Sequence, residues 1–176
     1  MTTATTATLA ADVAAIIDRE LRTLRREIEA YPDERQIWEQ VPGITNCGGT
    51  LALHLAGNLQ HYIGARWAGT GYVRDRDAEF ARRDVPRAEI VGEIERARAA
   101  VAAGLARVDE AIIGSDYPER IADASIRTGE YLVHLAVHFA YHLGQLDLHR
   151  RVVTGDAEGV GAVRPVELRS ARPAAG

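Results

Sequence analysis

Six histidines occur in this chain, at His54, His61, His134, His138, His142 and His149. Neutral imidazole is the commonest side-chain ligand for divalent transition metals. His138 and His142 are four residues apart, about 40° round a helix and about 6 Å along it, so both rings can reach one ion. His134 extends the row by one turn. On a helix His134 and His142 lie about 12 Å apart, too far to share one ion with the residue between them. One adjacent pair, 134/138 or 138/142, therefore needs a third ligand from elsewhere. His54, in the middle of another uncharged segment, is the natural supplier. Three neutral imidazoles suit Zn²⁺, Ni²⁺, Cu²⁺ or Fe²⁺ and leave positions for water or substrate.

The charge pattern supports this reading. No Asp, Glu, Lys or Arg occurs from Gln40 to Ala65, or between Glu130 and Asp147. Helices without charges are expected at the centre of a bundle, where an unsatisfied polar group costs about 1–3 kcal/mol. Each imidazole there needs a partner, and a metal is one. His61 and His149 are read as satisfied core or surface residues instead. Several other chemistries are absent from the sequence. It has no H-E-x-x-H protease helix, no Glu-x-x-His of a carboxylate-rich di-iron bundle and no C-x-x-C-H haem attachment.

Four helical segments would carry these residues. Val13, Ile16, Ile17, Leu21, Leu24 and Ile28 form one apolar stripe, with Arg19, Arg22, Arg25, Arg26 and Glu27 mostly outside it. Tyr31-Pro32-Asp33 ends that helix. Asn46 offers an N-cap for a second helix from about Gly49 to Ala68. A Gly-rich, charged connection leads to Asp84-Val85-Pro86, a cap followed by a first-turn proline. The spacing of Ile90, Ile94, Ala97, Val101, Leu105, Val108 and Ile112 predicts a third helix. Thr128 is the expected N-cap of a fourth, running from about Gly129 to Val153 and stopped by Gly155. The expected fold is all-α, a four-helix bundle over residues 1–155, with an irregular tail at 156–176.

Composition narrows the function. With 21 basic and 25 acidic residues the formal charge is −4, no footprint for nucleic acid or an anionic membrane. Every basic residue is arginine, which excludes Schiff-base and P-loop lysines. The single cysteine, Cys47, cannot form an internal disulfide, so the chain reads as cytoplasmic. Met1–Thr8 lacks the basic start and apolar core of a secretory signal. The uncharged Gln40–Ala65 stretch is too polar and too glycine-broken to span a bilayer.

Two segments carry a resemblance. Thr45-Asn46-Cys47-Gly48-Gly49-Thr50-Leu51-Ala52-Leu53-His54-Leu55-Ala56-Gly57-Asn58-Leu59 resembles the N-s-x-G-x-L-x-x-H-L-A-G-N segment of the DinB-like superfamily. His138-Phe139-Ala140-Tyr141-His142-Leu143-Gly144-Gln145 resembles its H-x-x-x-H-x-G-Q signature. The order, separation and overall length match too, so the resemblance covers nearly everything except the tail. Cys47 stands where that family often has serine.

The resemblance implies an up-down-down-up bundle, commonly a homodimer, and a divalent metal, Zn or Ni foremost, on His54, His138 and His142. His134 then becomes a neighbour on the same face. Asn58 and Gln145 are candidates for hydrogen bonds around the ligands. The superfamily includes YfiT-like proteins, bacillithiol and mycothiol S-transferases and a mycothiol-dependent maleylpyruvate isomerase. The implied activity is therefore metal-dependent transfer of a low-molecular-weight thiol to a small-molecule electrophile. Arg66 and Arg127 are candidates to hold a carboxylate of the thiol. The alternatives are metal-hydroxide hydrolysis, for which no carboxylate is evident beside the His pair, and a non-catalytic metal-binding or stress-related bundle. Cys47, at a helix start, is read as a small packing residue.

Overall fold

The computed structural model describes residues 8–173; of the N-terminal stretch discussed above only Thr8 is included, and the tail beyond Pro173 lies outside the described residues. Thr8 caps α1 (Leu9–Glu29), its side chain accepting from the Ala11 amide at 3.2 Å. A 3-10 turn, Glu34–Trp38, follows, capped by Asp33. α2 (Gly48–Leu59) continues as a π-helical stretch, Gln60–Ala68, until Gly69 at φ 66° ends it. Then come the short α3 (Arg76–Ala81), α4 (Arg87–Leu105), the short α5 (Glu110–Gly114) and α6 (Thr128–Thr154).

Cross-helix contacts fix the directions of the four long helices. Gln60 donates to Glu93 while Gly64 abuts Ala100, so α4 runs parallel to the second helix. Leu9 lies against Gly129 and Glu27 pairs with Arg150, so α6 runs parallel to α1. Asp18 pairs with Arg98 and Arg25 with Glu95, which makes α1 and α4 antiparallel. His54 faces His138 and Tyr62 faces Tyr131, which makes α2 and α6 antiparallel. The bundle is up-down-down-up. α1 packs between α4 and α6, and so does α2, diagonally across from it.

Some local expectations give way to tertiary packing. Cys47 is the N-cap of α2 in place of Asn46, with no side-chain cap bond. Here Gly48 and Gly49 are pressed so close to Tyr31 and Trp38 that a Cβ would collide with either ring. Thr128 is the first residue of α6 and fully buried, so Arg127 takes the cap position. Pro86 caps α4, and Asp84 has φ 54°. The third helix does not reach Ile112. The chain tightens after Leu105, with the Val108 amide bonded to the Leu105 carbonyl, and Asp109 recaps it as α5 by accepting from the Ile112 amide. α2 is central, buried at every residue from Gly48 to Leu59. α6 is not, since it keeps an exposed apolar side despite its lack of charge.

Charges on α1 are buried too: Arg19, Glu20 and Glu27, of which the stripe's pattern places Arg19 and Glu27 mostly outside it. Glu27 forms an ion pair with Arg150, and both side chains are sealed from solvent. Arg150 also donates to the Glu158 carbonyl at 2.8 Å, tying the start of the tail to the bundle. Arg26 holds the next part through the Val160 and Gly161 carbonyls. A buried pair gives little net stability against an apolar replacement, but losing one partner leaves a naked charge.

His149 belongs to this lower core. Its Nε2 lies 2.9 Å from the Glu39 carbonyl, which can only accept, so Nε2 carries the proton and Nδ1 accepts from the Tyr31 hydroxyl at 2.8 Å. Burial holds its pKa below the ordinary 6.5, only partly offset by the Glu39 carbonyl.

Two outcomes follow for stability. Arg150→Met should cost about 3–5 kcal/mol in urea unfolding, and the double variant Glu27→Leu/Arg150→Met markedly less. Because folded His149 binds fewer protons than unfolded His149, stability should fall as pH drops below about 6.5. The urea midpoint should decline from pH 7 to pH 5, and less steeply in His149→Gln.

Candidate functional site

The second helix and α6 cross where His54, His138 and His142 meet. One nitrogen from each ring lies within 4.8 Å of the others, a group that could hold a metal ion. The ring centroids are 5.3 Å apart for His54–His138, 5.3 Å for His54–His142 and 4.6 Å for His138–His142. His54 is nearly sealed from solvent, while His138 and His142 are half-buried.

Hydrogen bonds determine which nitrogens are free. Glu79 Oε2 lies 3.0 Å from His54 Nδ1. Arg74 grips the same carboxylate with two bonds, Nε to Oε1 at 2.7 Å and a terminal nitrogen to Oε2 at 2.8 Å. Burial opposes ionisation of Glu79, but the bonds from Arg74 and His54 outweigh it and hold the carboxyl below its usual range. An ionised carboxylate only accepts, so His54 Nδ1 carries the proton and Nε2 keeps its lone pair. Gln145 Oε1 accepts from His142 Nδ1 at 2.7 Å, which leaves Nε2 as the lone-pair nitrogen there too. His138 Nε2 is 3.4 Å from His54 Nε2, and its Nδ1 is buried without a partner among the described residues.

This donor set fits a divalent transition metal. Ligand nitrogens about 2.1 Å from a tetrahedral ion lie about 3.4 Å apart. Carboxylate or amide acceptors on the far ring nitrogens are what fix ligating histidines in place. The rings also resist protonation, which would compete with a metal. Burial, reinforced by His142, His54, His134 and Arg74, lowers His138 to about 4. His142 is lowered by burial, partly offset by its bond to Gln145.

Glu79, Arg74 and Phe80 were not evident from the sequence. Phe80 packs its ring 4.9 Å from that of His54. Glu79 and Phe80 lie on the six-residue α3, within a stretch that reads as a charged connection. Its one local signal is Asp75, which accepts from the Ala78 amide as N-cap. Gly57, one turn after His54, makes room for the carboxylate, since a Cβ there would collide with Glu79 Oε1.

The other candidates separate. His134 is exposed, stacked on Tyr131 with centroids 5.7 Å apart and 6.1 Å from His138, and stands outside the three-histidine group. Asn58 is buried one turn beyond His54 and makes no side-chain hydrogen bond among the described residues. Arg66 is engaged by Glu119, which also lies 3.2 Å from His61. Arg127, at the head of α6, lies 3.9 Å from Glu130. The arginine near the triad is Arg74, 3.3 Å from His54 Nδ1. Cys47 is buried with Sγ 3.2 Å from the Thr50 hydroxyl.

Comparison with known proteins agrees with this architecture. A family model described as mycothiol-S-transferase matches residues 12–155, from α1 to the end of α6. No curated protein and no solved structure matches the chain. No helix among the described residues is long and apolar enough to cross a membrane. On the extent of that match, the chain belongs to the mycothiol-S-transferase family, within the DinB-like superfamily.

Proposed function

We propose that the protein is a divalent-metal-dependent thiol S-transferase, with Zn or Ni held by Nε2 of His54, His138 and His142. The observation that carries this reading is the convergence of the three imidazoles, two of them with their far nitrogens anchored by Glu79 and Gln145. Bound there by three neutral ligands, the cation would keep its full charge and favour ionisation of a low-molecular-weight thiol, making it the nucleophile. The small-molecule electrophile is the second substrate.

The chain's own part is to bind, orient and shield. Glu79 holds the Nδ1 proton of His54, and Arg74 keeps Glu79 ionised. Phe80 covers one side of His54 and excludes water there. Exposed His134 and Tyr141 border the triad on α6, the side from which a substrate would enter. Glu79 is committed to Arg74 and His54, so it is not poised as the base that a hydrolase would need. The family match supports the thiol as co-substrate. The protein is taken to work in the cytoplasm, as a homodimer, with Cys47 remaining a packed thiol.

The test pairs metal analysis with turnover. Metal-free protein titrated with Zn²⁺ or Ni²⁺ should take up about one equivalent per chain. His54→Ala, His138→Ala and His142→Ala should each abolish uptake and any conjugation of mycothiol or another small thiol to monochlorobimane, while His61→Ala should keep both. Uptake unchanged in the three variants would refute the ligand set. Glu79→Gln preserves shape but removes the charge that fixes His54, and should weaken metal binding by about 10–100-fold. Isothermal titration would measure that loss.

A further inference from the structure

Asn58 is 7% exposed and has no side-chain hydrogen-bond partner among the described residues. A primary amide has two N–H donors and a carbonyl acceptor to satisfy, and leaving it unpaired in a protein interior is costly. The amide is not walled in, however. The sealed and unpaired side-chain atoms among the described residues belong to Glu20, Glu27, Arg87, Thr128 and His138. The Asn58 amide therefore reaches accessible space, through the small opening that its exposure measures.

Its neighbours along the helix locate that opening. His54, Asn58 and Tyr62 follow at four-residue steps, so they share the face of the second helix that meets α6. The outer two make the contacts, His54 with His138 at 5.3 Å between ring centroids and Tyr62 with Tyr131 at 5.5 Å. On α6, His134 spans the same interval, 5.7 Å from the Tyr131 ring and 6.1 Å from that of His138. Arg74 closes the circuit, 3.3 Å from His54 Nδ1 and 5.5 Å from the centre of the Tyr62 ring. Asn58 thus belongs to a recess that adjoins the triad and opens to solvent at the exposed His134. Arg74 is already committed to Glu79, whereas the amide is uncommitted.

We propose that Asn58 binds the thiol substrate, its side-chain amide pairing with an amide of the thiol, N–H to carbonyl and carbonyl to N–H, while the sulfur lies at the triad. The inference rests on the transferase reading above and names the class of thiol, one with an amide two carbons from its sulfur. Asn58 stands about 6 Å along the helix from His54, so the group it meets lies near the sulfur and not at the far end of the molecule. At that distance an amide matches both halves of the carboxamide. A carboxylate would use only its donors and an ammonium only its acceptor, and either would bring a further charge into a largely buried recess.

Isothermal titration of the zinc-loaded full chain with two neutral thiols tests this. N-acetylcysteamine carries an amide two carbons from sulfur, and propanethiol carries none. Asn58→Leu keeps a side chain of similar size and removes an amide that no protein group satisfies. It should take up zinc as the wild type does, keep or raise the thermal midpoint, and bind N-acetylcysteamine about tenfold more weakly, while propanethiol binds no worse. In the wild type, the side-chain N–H resonances of Asn58 should shift when N-acetylcysteamine is added. Equal weakening for both thiols, or for neither, would overturn the inference, and equal weakening with a lowered midpoint would mark the amide as a tie between helices. A wild type that takes up zinc yet binds neither thiol would overturn the transferase reading and this inference with it.

Discussion

An imidazole buried in a helical bundle must have a use for both ring nitrogens. On the far side of two of the three metal-facing rings the protein provides a hydrogen-bond acceptor, while Nδ1 of His138 has none among the described residues. On the near side, a lone pair aimed at further lone pairs is tolerable only if a cation, a proton or water stands between them. His54 and His142 are held in this state by Glu79 and Gln145. The rest of the structure serves that arrangement. α2 is sunk so deeply that His54 cannot turn to solvent, α3 folds back to deliver one carboxylate, and α6 brings two more rings to the same gap.

The network around Glu79 shows why a short, unremarked helix matters. A lone carboxylate at that depth would protonate, and its hold on the ring would weaken. Arg74 prevents this by placing two nitrogens on the carboxylate. Gly57 removes the one side chain that would keep the carboxylate from its partner. The far end of the bundle repeats the logic with a different outcome. His149 has both nitrogens satisfied inside the protein, by Tyr31 and the Glu39 carbonyl, and so has no lone pair to offer.

How much of this was legible in the sequence depended on distance along the chain. The four-residue step from His138 to His142 and the uncharged runs around them are local, and so they read directly. So did the apolar stripes of α1 and α4, because helical periodicity repeats over many residues. Glu79 could not be found in the same way. It pairs with a histidine 25 residues away through the fold, and a six-residue helix shows no period. The buried Arg150 and Glu27 were hidden for a related reason: each looks like a surface charge until the other is known, 123 residues away. Caps moved by a residue where packing outweighed propensity, as at Gly48 against Tyr31. The lack of charge on α6 read as depth, but the helix leaves part of its apolar surface exposed.

The central claim is that Nε2 of His54 and His142 are free lone pairs awaiting a cation. Ring ¹⁵N chemical shifts, recorded on the metal-free protein and again after adding one equivalent of zinc, test it most directly. The account predicts the Nδ1–H tautomer at both residues, large zinc-induced shifts at Nε2 of His54, His138 and His142, and an unmoved Nε2–H tautomer at His149. An Nε2–H tautomer at His54 and His142, or triad resonances indifferent to zinc, would contradict it.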